Sequence, residues 1–381
     1  MKRHLIALSL LAASAAGVSA QQSAKYEIER DMPLFLDSIK NELTYPLAWG
    51  NSDITDFDTW RSTARDKVME LMLAPPPRAV DYDVQVVGEE KRDGYTARKI
   101  EFNLTRYSRV SAYVLVPDGK GPFPGIVALH DHGGHYTIGK EKMIRPFGVG
   151  QEVFDDCDKW VDNLYEGQYV GDYLARNGYV VISTDALFWG DRGRKERADG
   201  SKFANVAGNF MMLGRNMSAW MTFEDMYATE FLASLPEVDA ARVGCIGLSM
   251  GAYRSWMLAA LSPIIRAGVA VCWMTTTDVQ LSWEYGRENG GFANNHIGVR
   301  NYLDYPHIAS LACPGSMYFV NGETDKLFQP HAVRDAYATM HKVWDSQGVG
   351  DRLRTELLPM GHEMPISVQQ SCLEFLDRSL K

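Results

Sequence analysis

Apolar positions change their rhythm twice along this chain of 381 residues. From Trp60 to Leu73 they recur at helical spacing, and Ala74-Pro75-Pro76-Pro77 stops the helix, because proline lacks the amide donor. Next come three alternating segments, Tyr82 to Val87, Ala97 to Leu104 and Val110 to Val116. Strict alternation predicts half-exposed antiparallel strands. After residue 120 the runs become short and continuously apolar: Gly125–Leu129, Tyr179–Ser183, Val243–Ile246, Ala267–Trp273, Met317–Val320 and Thr355–Leu358. Such runs predict strands buried on both faces, and the stretches between them are long enough for helical crossovers. The expected fold is α/β. A mostly parallel central sheet flanked by helices fills one domain over residues 80–381, and residues 21–79 form a helical N-terminal extension.

The first twenty residues have a different character. Met1-Lys2-Arg3-His4 is basic, Leu5 to Gly17 is apolar, and Val18-Ser19-Ala20 offers small residues before a polar continuation. This predicts a secretory signal peptide over 1–20, removed after Ala20, and a periplasmic or extracellular product. The apolar run is too short for a membrane span, and no second one follows. Removing Lys2 and Arg3 takes the formal charge from −9 to −11. An acidic chain argues against nucleic acid as a partner. The five cysteines are odd in number and scattered, and Cys245 and Cys272 lie in apolar runs, so buried thiols are expected rather than a disulfide framework.

Candidate chemistry gathers where the apolar runs end. Val243–Ile246 leads into Gly247-Leu248-Ser249-Met250-Gly251 and then an apolar helical stretch. A G-x-S-x-G turn between strand and helix holds a serine on a tight bend, so Ser249 is the candidate nucleophile. A serine hydroxyl needs a base, itself oriented by an acid. His362, after the last strand in Pro359-Met360-Gly361-His362, is the candidate base. Asp325, in Asn321-Gly322-Glu323-Thr324-Asp325, is the candidate acid, with Glu323 and Asp278 as rivals.

A tetrahedral oxyanion needs two fixed N–H donors. Met250, next after the nucleophile, would supply one. The loop His130-Asp131-His132-Gly133-Gly134-His135 would supply the other, from His132 first or Gly133 second. Three histidines and an aspartate here match no zinc-ligand spacing, so no metal and no other cofactor is expected.

Ser249, Asp325 and His362 in this order, with that loop, resemble the α/β-hydrolase superfamily. "ALHDHGGH", "STDALFWGDRG", "GCIGLSMGAYRSWMLAAL", "CWMT" and "NGETDKLFQP" resemble its branch of dienelactone-hydrolase-like proteins and bacterial acetyl xylan esterases, over about residues 80–381. A dienelactone hydrolase proper uses cysteine where this chain has Ser249, so that substrate is not implied. The resemblance implies ester hydrolysis on sugars, as deacetylation or as demethylation of uronic acid esters. Trp189, Trp273 and Trp283 are candidates for sugar faces. Arg192 and Arg254 are candidates for a substrate carboxylate, or for salt bridges to Asp185 or Asp191. The competing reading is a non-catalytic carbohydrate-binding protein on a hydrolase scaffold.

Overall fold

The computed structural model describes residues 28–29, 32–33, 35–193, 199–282 and 291–381. The expected signal peptide and Trp283 lie outside the described residues. Two short strands, β1 (Ile28–Glu29) and β2 (Met32–Pro33), pair antiparallel. Helix α1 (Leu36–Asn41) precedes α2 (Phe57–Leu71), which starts at Asp56, whose side chain accepts the Thr59 amide at 2.9 Å. The buried positions Trp60, Ala64 and Val68 recur every fourth residue and line one face of α2. The Trp60 indole also donates to the Leu47 carbonyl at 2.8 Å. That face belongs to the same core as the central sheet, so the N-terminal segment and the sheet share their hydrophobic interior.

The sheet has nine strands: β3 (Gln85–Arg92), β4 (Tyr95–Thr105), β5 (Ser108–Pro117), β6 (Phe123–Leu129), β7 (Val180–Thr184), β8 (Val238–Leu248), β9 (Ile265–Val271), β10 (Ser316–Gly322) and β11 (Leu353–Leu358). Their order is β11-β10-β9-β8-β6-β7-β5-β4-β3. β6 through β11 run parallel, and β3, β4 and β5 are antiparallel at one side. This is the α/β sheet expected from the apolar runs. The first strand differs: it begins three residues later than the alternation suggested and continues through Glu89-Glu90-Lys91-Arg92. It is an edge strand largely open on both faces, so hydrophobic alternation could not mark its ends.

Helices cover both faces. α3 (Gln151–Tyr165), α4 (Val170–Arg176) and α11 (Ile366–Leu380) pack one side. On the other lie α2, α6 (Met217–Ser234), α7 (Met250–Leu261), α9 (Tyr305–Ala309) and α10 (Pro330–Ser346). Two further helices, α5 (Gly200–Met212) and α8 (Thr277–Gln280), stand above the carboxyl ends of the parallel strands. Every residue of α7 is buried, so the helix that follows Ser249 is held on all sides. All five cysteines are buried and free. Among the described residues, no helix is long and apolar enough to cross a membrane.

Candidate active site

Ser249 sits between β8 and α7 with φ 57° and ψ −121°, a conformation disfavoured for a residue with a side chain. Its amide donates to the Val271 carbonyl at 2.8 Å, which ties the bend to the end of β9. The flanking glycines are required by contact. A Cβ on Gly247 would lie 2.3 Å from the Gly251 carbonyl, and one on Gly251 would lie 1.9 Å from the Leu129 carbonyl oxygen. The latter approach brings the start of α7 against the end of β6, beside the loop His130–Gly134.

His362 and Asp325 meet across the ends of β11 and β10. The imidazole Nδ1 donates to Asp325 Oδ2 at 2.7 Å. The other carboxylate oxygen accepts the Leu327 amide at 2.9 Å. The Asp325 side chain is fully covered, whereas the imidazole keeps 24% of its surface. The Phe328 ring stacks on the imidazole at 6.1 Å. The two loops are stitched together by Glu323 N–H to Leu358 O at 2.7 Å and Thr324 N–H to Met360 O at 3.1 Å. The rivals lie elsewhere: Glu323 pairs with Arg334, and exposed Asp278 pairs with Lys40. Cys272, Asp325 and His362 place their ligand atoms within 4.8 Å of one another. Burial pushes the Cys272 thiol far above the usual range, so it is a protonated neighbour of the pair.

The loop after β6 is pinned from below. His130 is fully buried, its Nδ1 donates to the Asp131 carbonyl at 2.9 Å, and its Nε2 accepts the Ala186 amide at 3.0 Å. Burial first, then Arg254 and Lys142, hold its pKa well below the ordinary histidine value. Lys142, with no exposed side-chain surface, donates to the carbonyls of Asp131 (3.1 Å) and His132 (3.2 Å) and to Asp131 Oδ1 (3.2 Å). Trp189 Nε1 also donates to the His132 carbonyl, at 3.2 Å. The His132 ring accepts the Gly134 amide at Nδ1 and meets Tyr136, Trp189 and Phe203 edge-on, and burial lowers its pKa to about 4. His135 turns away to Asp156. The three histidines therefore serve three separate partners. A second acidic group, Glu141, Asp185 and Asp191, surrounds the Lys140 ammonium, which occupies the place a cation would take. Burial opposes that charge, but the three carboxylates hold the Lys140 pKa well above the usual range.

Several sequence candidates have other work. Arg192 makes a two-pronged pair with Glu224 at 2.6 and 2.8 Å, and Arg254 does the same with Asp225 at 2.8 and 2.6 Å. Both carboxylates come from α6 and are buried, so these guanidinium groups brace the interior rather than receive a substrate acid. Among the described residues neither forms an ion pair with Asp185 or Asp191, and Arg192 reaches Asp185 only at its backbone carbonyl, at 3.2 Å. Trp189 and Trp273 are also corrected: they are 0% and 2% exposed, the first in a small core with Met250 and Tyr136, the second between Tyr305 and Phe328. Neither offers a ring face to a sugar. Met250, first residue of α7, carries an amide with no partner inside the helix. Sequence reasoning missed Lys142, because a lysine with ordinary neighbours carries no mark of burial. It also missed a cavity of about 280 Å³ lined by Asn216, Met217, His296, Arg300 and Tyr305.

The model of the Abhydrolase family, Abhydrolase_7, matches residues 34–345. YtaP of Bacillus subtilis (strain 168), a protein named as a hydrolase, is 24% identical over 317 residues, which cover 83% of this chain and 99% of YtaP. A Bacteroides fragilis NCTC 9343 structure described as an acetyl xylan esterase superposes with a TM-score of 0.70 at 17% identity, over 89% of this chain and 84% of that one. A glucuronoyl esterase from Solibacter usitatus superposes with a TM-score of 0.64 at 15% identity, over 89% and 98%. The nine-stranded sheet is thus an α/β-hydrolase sheet.

Proposed function

The chain belongs to the Abhydrolase family, and from that premise we propose that it is a serine carboxylester hydrolase removing acetyl groups from a polysaccharide or oligosaccharide. The observation that carries the reading is the 2.7 Å bond from His362 Nδ1 to Asp325 Oδ2, in loops that leave the same carboxyl end of the parallel strands as the strained turn of Ser249.

In this mechanism Ser249 Oγ attacks the ester carbonyl and His362 Nε2 takes its proton. Asp325 holds Nδ1–H, so Nε2 has the free lone pair, and then stabilises the imidazolium. The Met250 and His132 amides receive the oxyanion. His362 returns its proton to the departing sugar hydroxyl. Water, deprotonated by the same imidazole, then releases the acid and restores the serine.

The test is p-nitrophenyl acetate turnover by the wild type and Ser249→Ala. Turnover is expected to fall to the level of the residual site, and equal rates would favour a non-catalytic carbohydrate-binding protein. The likeness to a glucuronoyl esterase favours a second reading, demethylation of uronic acid esters. Acetate released from acetylated xylan supports the first, and methanol released from methylated pectin the second. Export is part of the proposal, and it predicts a mature protein beginning at Gln21.

A further inference from the structure

At the opposite end of the sheet lies a groove of about 900 Å³. It opens under the amino ends of β9, β10 and β11, whereas Ser249, Asp325 and His362 follow carboxyl ends of the parallel strands. The seven residues of β9 put roughly 20 Å between the two ends. Five arginines line the groove: Arg61 from α2, Arg266, Arg352, Arg354 and Arg378. Asp351 is the single acidic residue among its lining.

This concentration of positive charge stands out in a chain whose net charge is −9. Several arginines elsewhere are matched with carboxylates, as in Arg92–Asp172, Arg98–Glu237, Arg192–Glu224 and Arg254–Asp225, while others such as Arg65 and Arg215 meet single backbone oxygens. Among the described residues, Arg354 alone of the groove's arginines has a carboxylate partner, Glu356. Three of the others are steadied by backbone oxygens instead. Arg61 Nε donates to Leu311 O at 2.9 Å, Arg352 Nη1 to Pro314 O at 3.0 Å, and Arg378 Nε to Glu374 O at 3.3 Å. Each of these bonds orients a guanidinium and leaves its remaining N–H groups for another acceptor. Like charges held together without counter-charge repel one another, and planar guanidinium forks match carboxylates in pairs.

We infer that this groove binds an acidic polysaccharide, whose many carboxylates can meet several of the clustered arginines at once. Several fixed cations in one open channel suit a polyanion better than a single small acid. The choice of a saccharide among polyanions rests on the carbohydrate-ester reading. The groove would anchor a polymer whose ester is presented at the far end of the sheet, and would offset the repulsion between an acidic enzyme and an acidic chain.

The test is the affinity of the mature protein for polygalacturonate at low salt, compared with Arg266→Glu/Arg378→Glu. Both side chains are exposed, so the substitutions disturb no core packing. The wild type is expected to bind, to weaken as salt rises, and to ignore neutral xylan. The double variant is expected to bind at least about tenfold more weakly, equivalent to 1.4 kcal/mol, while p-nitrophenyl acetate turnover stays unchanged. No wild-type binding, equal binding by the variant, or a preference for single-stranded DNA over polygalacturonate overturns the inference. Arginine-dependent binding by a protein without esterase activity would keep the groove and remove the esterase reading. Ser249-dependent esterase activity without binding would do the reverse.

Discussion

The ammonium of Lys142 lies 3.2 Å from the carbonyl oxygen of His132 and 3.1 Å from that of Asp131. In a trans peptide the carbonyl and the amide point in opposite directions. Holding both oxygens from one side therefore turns the amides of His132 and Gly133 to the other side, which in the proposed mechanism is where the oxyanion forms. In that mechanism Lys142 is a positioning residue that never touches substrate. Its side chain is fully buried, and its pKa is pulled below the usual lysine value by burial, against Asp131.

Lys142→Met should lower kcat by about tenfold to a hundredfold, somewhat less than the 10²–10³ lost with a whole oxyanion donor. KM should hardly move, and Lys142→Arg should recover part of the loss. The decisive measurement is inhibition by a boronate that mimics the tetrahedral intermediate. Equal boronate affinity in the wild type and Lys142→Met would refute the role.

Asp325→Asn tests the other half of the site. The amide nitrogen would face His362 Nδ1 and force the ring proton onto Nε2, where the lone pair is needed. With packing nearly unchanged, kcat should fall by about 10³–10⁴. Glu323→Gln and Asp278→Asn should leave kcat at the wild-type level, since those carboxylates pair with Arg334 and Lys40. Near-normal turnover by Asp325→Asn would move the acid to another residue.

The parts of this site readable in the sequence are those fixed by local chain geometry. Ser249 is legible because strand, glycine turn and helix are contiguous, and Asp325 and His362 because each follows an apolar strand. Lys142, Arg192 and Arg254 were not legible, because their meaning depends on partners distant in the chain. Asp185 and Asp191 are near Arg192 in sequence, yet its side chain meets Glu224, and Arg254 meets Asp225 on the same turn of α6. α6 buries charges and apolar residues alike, so no polar stripe advertised these pairs. Trp189 and Trp273 misled for the same reason: a ring near a site in sequence is not thereby open to it.

The Arg254–Asp225 pair should behave as a buried ion pair. Arg254→Met leaves Asp225 in an interior where burial already raises its carboxyl pKa. The expected cost is about 3–5 kcal/mol in denaturant unfolding, and Asp225→Leu alone should cost a similar amount. Arg254→Met/Asp225→Leu should recover most of the loss, because neither charge then remains unmatched. Single effects that simply add in the double variant would show that the two side chains are not coupled.

Stability should fall in mild acid, and the buried histidines set the window. Burial, followed by the nearby Arg254 and Lys142 cations, lowers His130 well below 6.5, while burial, followed by Arg300, lowers His296 to about 3. Between pH 6.5 and these lower values, the unfolded chain binds protons that the folded chain refuses. Stability therefore has its full value above pH 6.5 and is lost as pH falls toward 3. One such histidine changes unfolding free energy by about 1.4 kcal/mol per pH unit inside its window. His296 Nδ1 lies 3.3 Å from the Tyr253 hydroxyl, and Tyr253 lies one turn beyond Ser249 on α7. His296→Gln can preserve a polar contact there while removing the titrating ring. Urea midpoints measured from pH 7 to pH 4 should then decline less steeply for His296→Gln than for the wild type, whatever its offset at pH 7. Parallel declines would mean that His296 is not neutral in the folded protein.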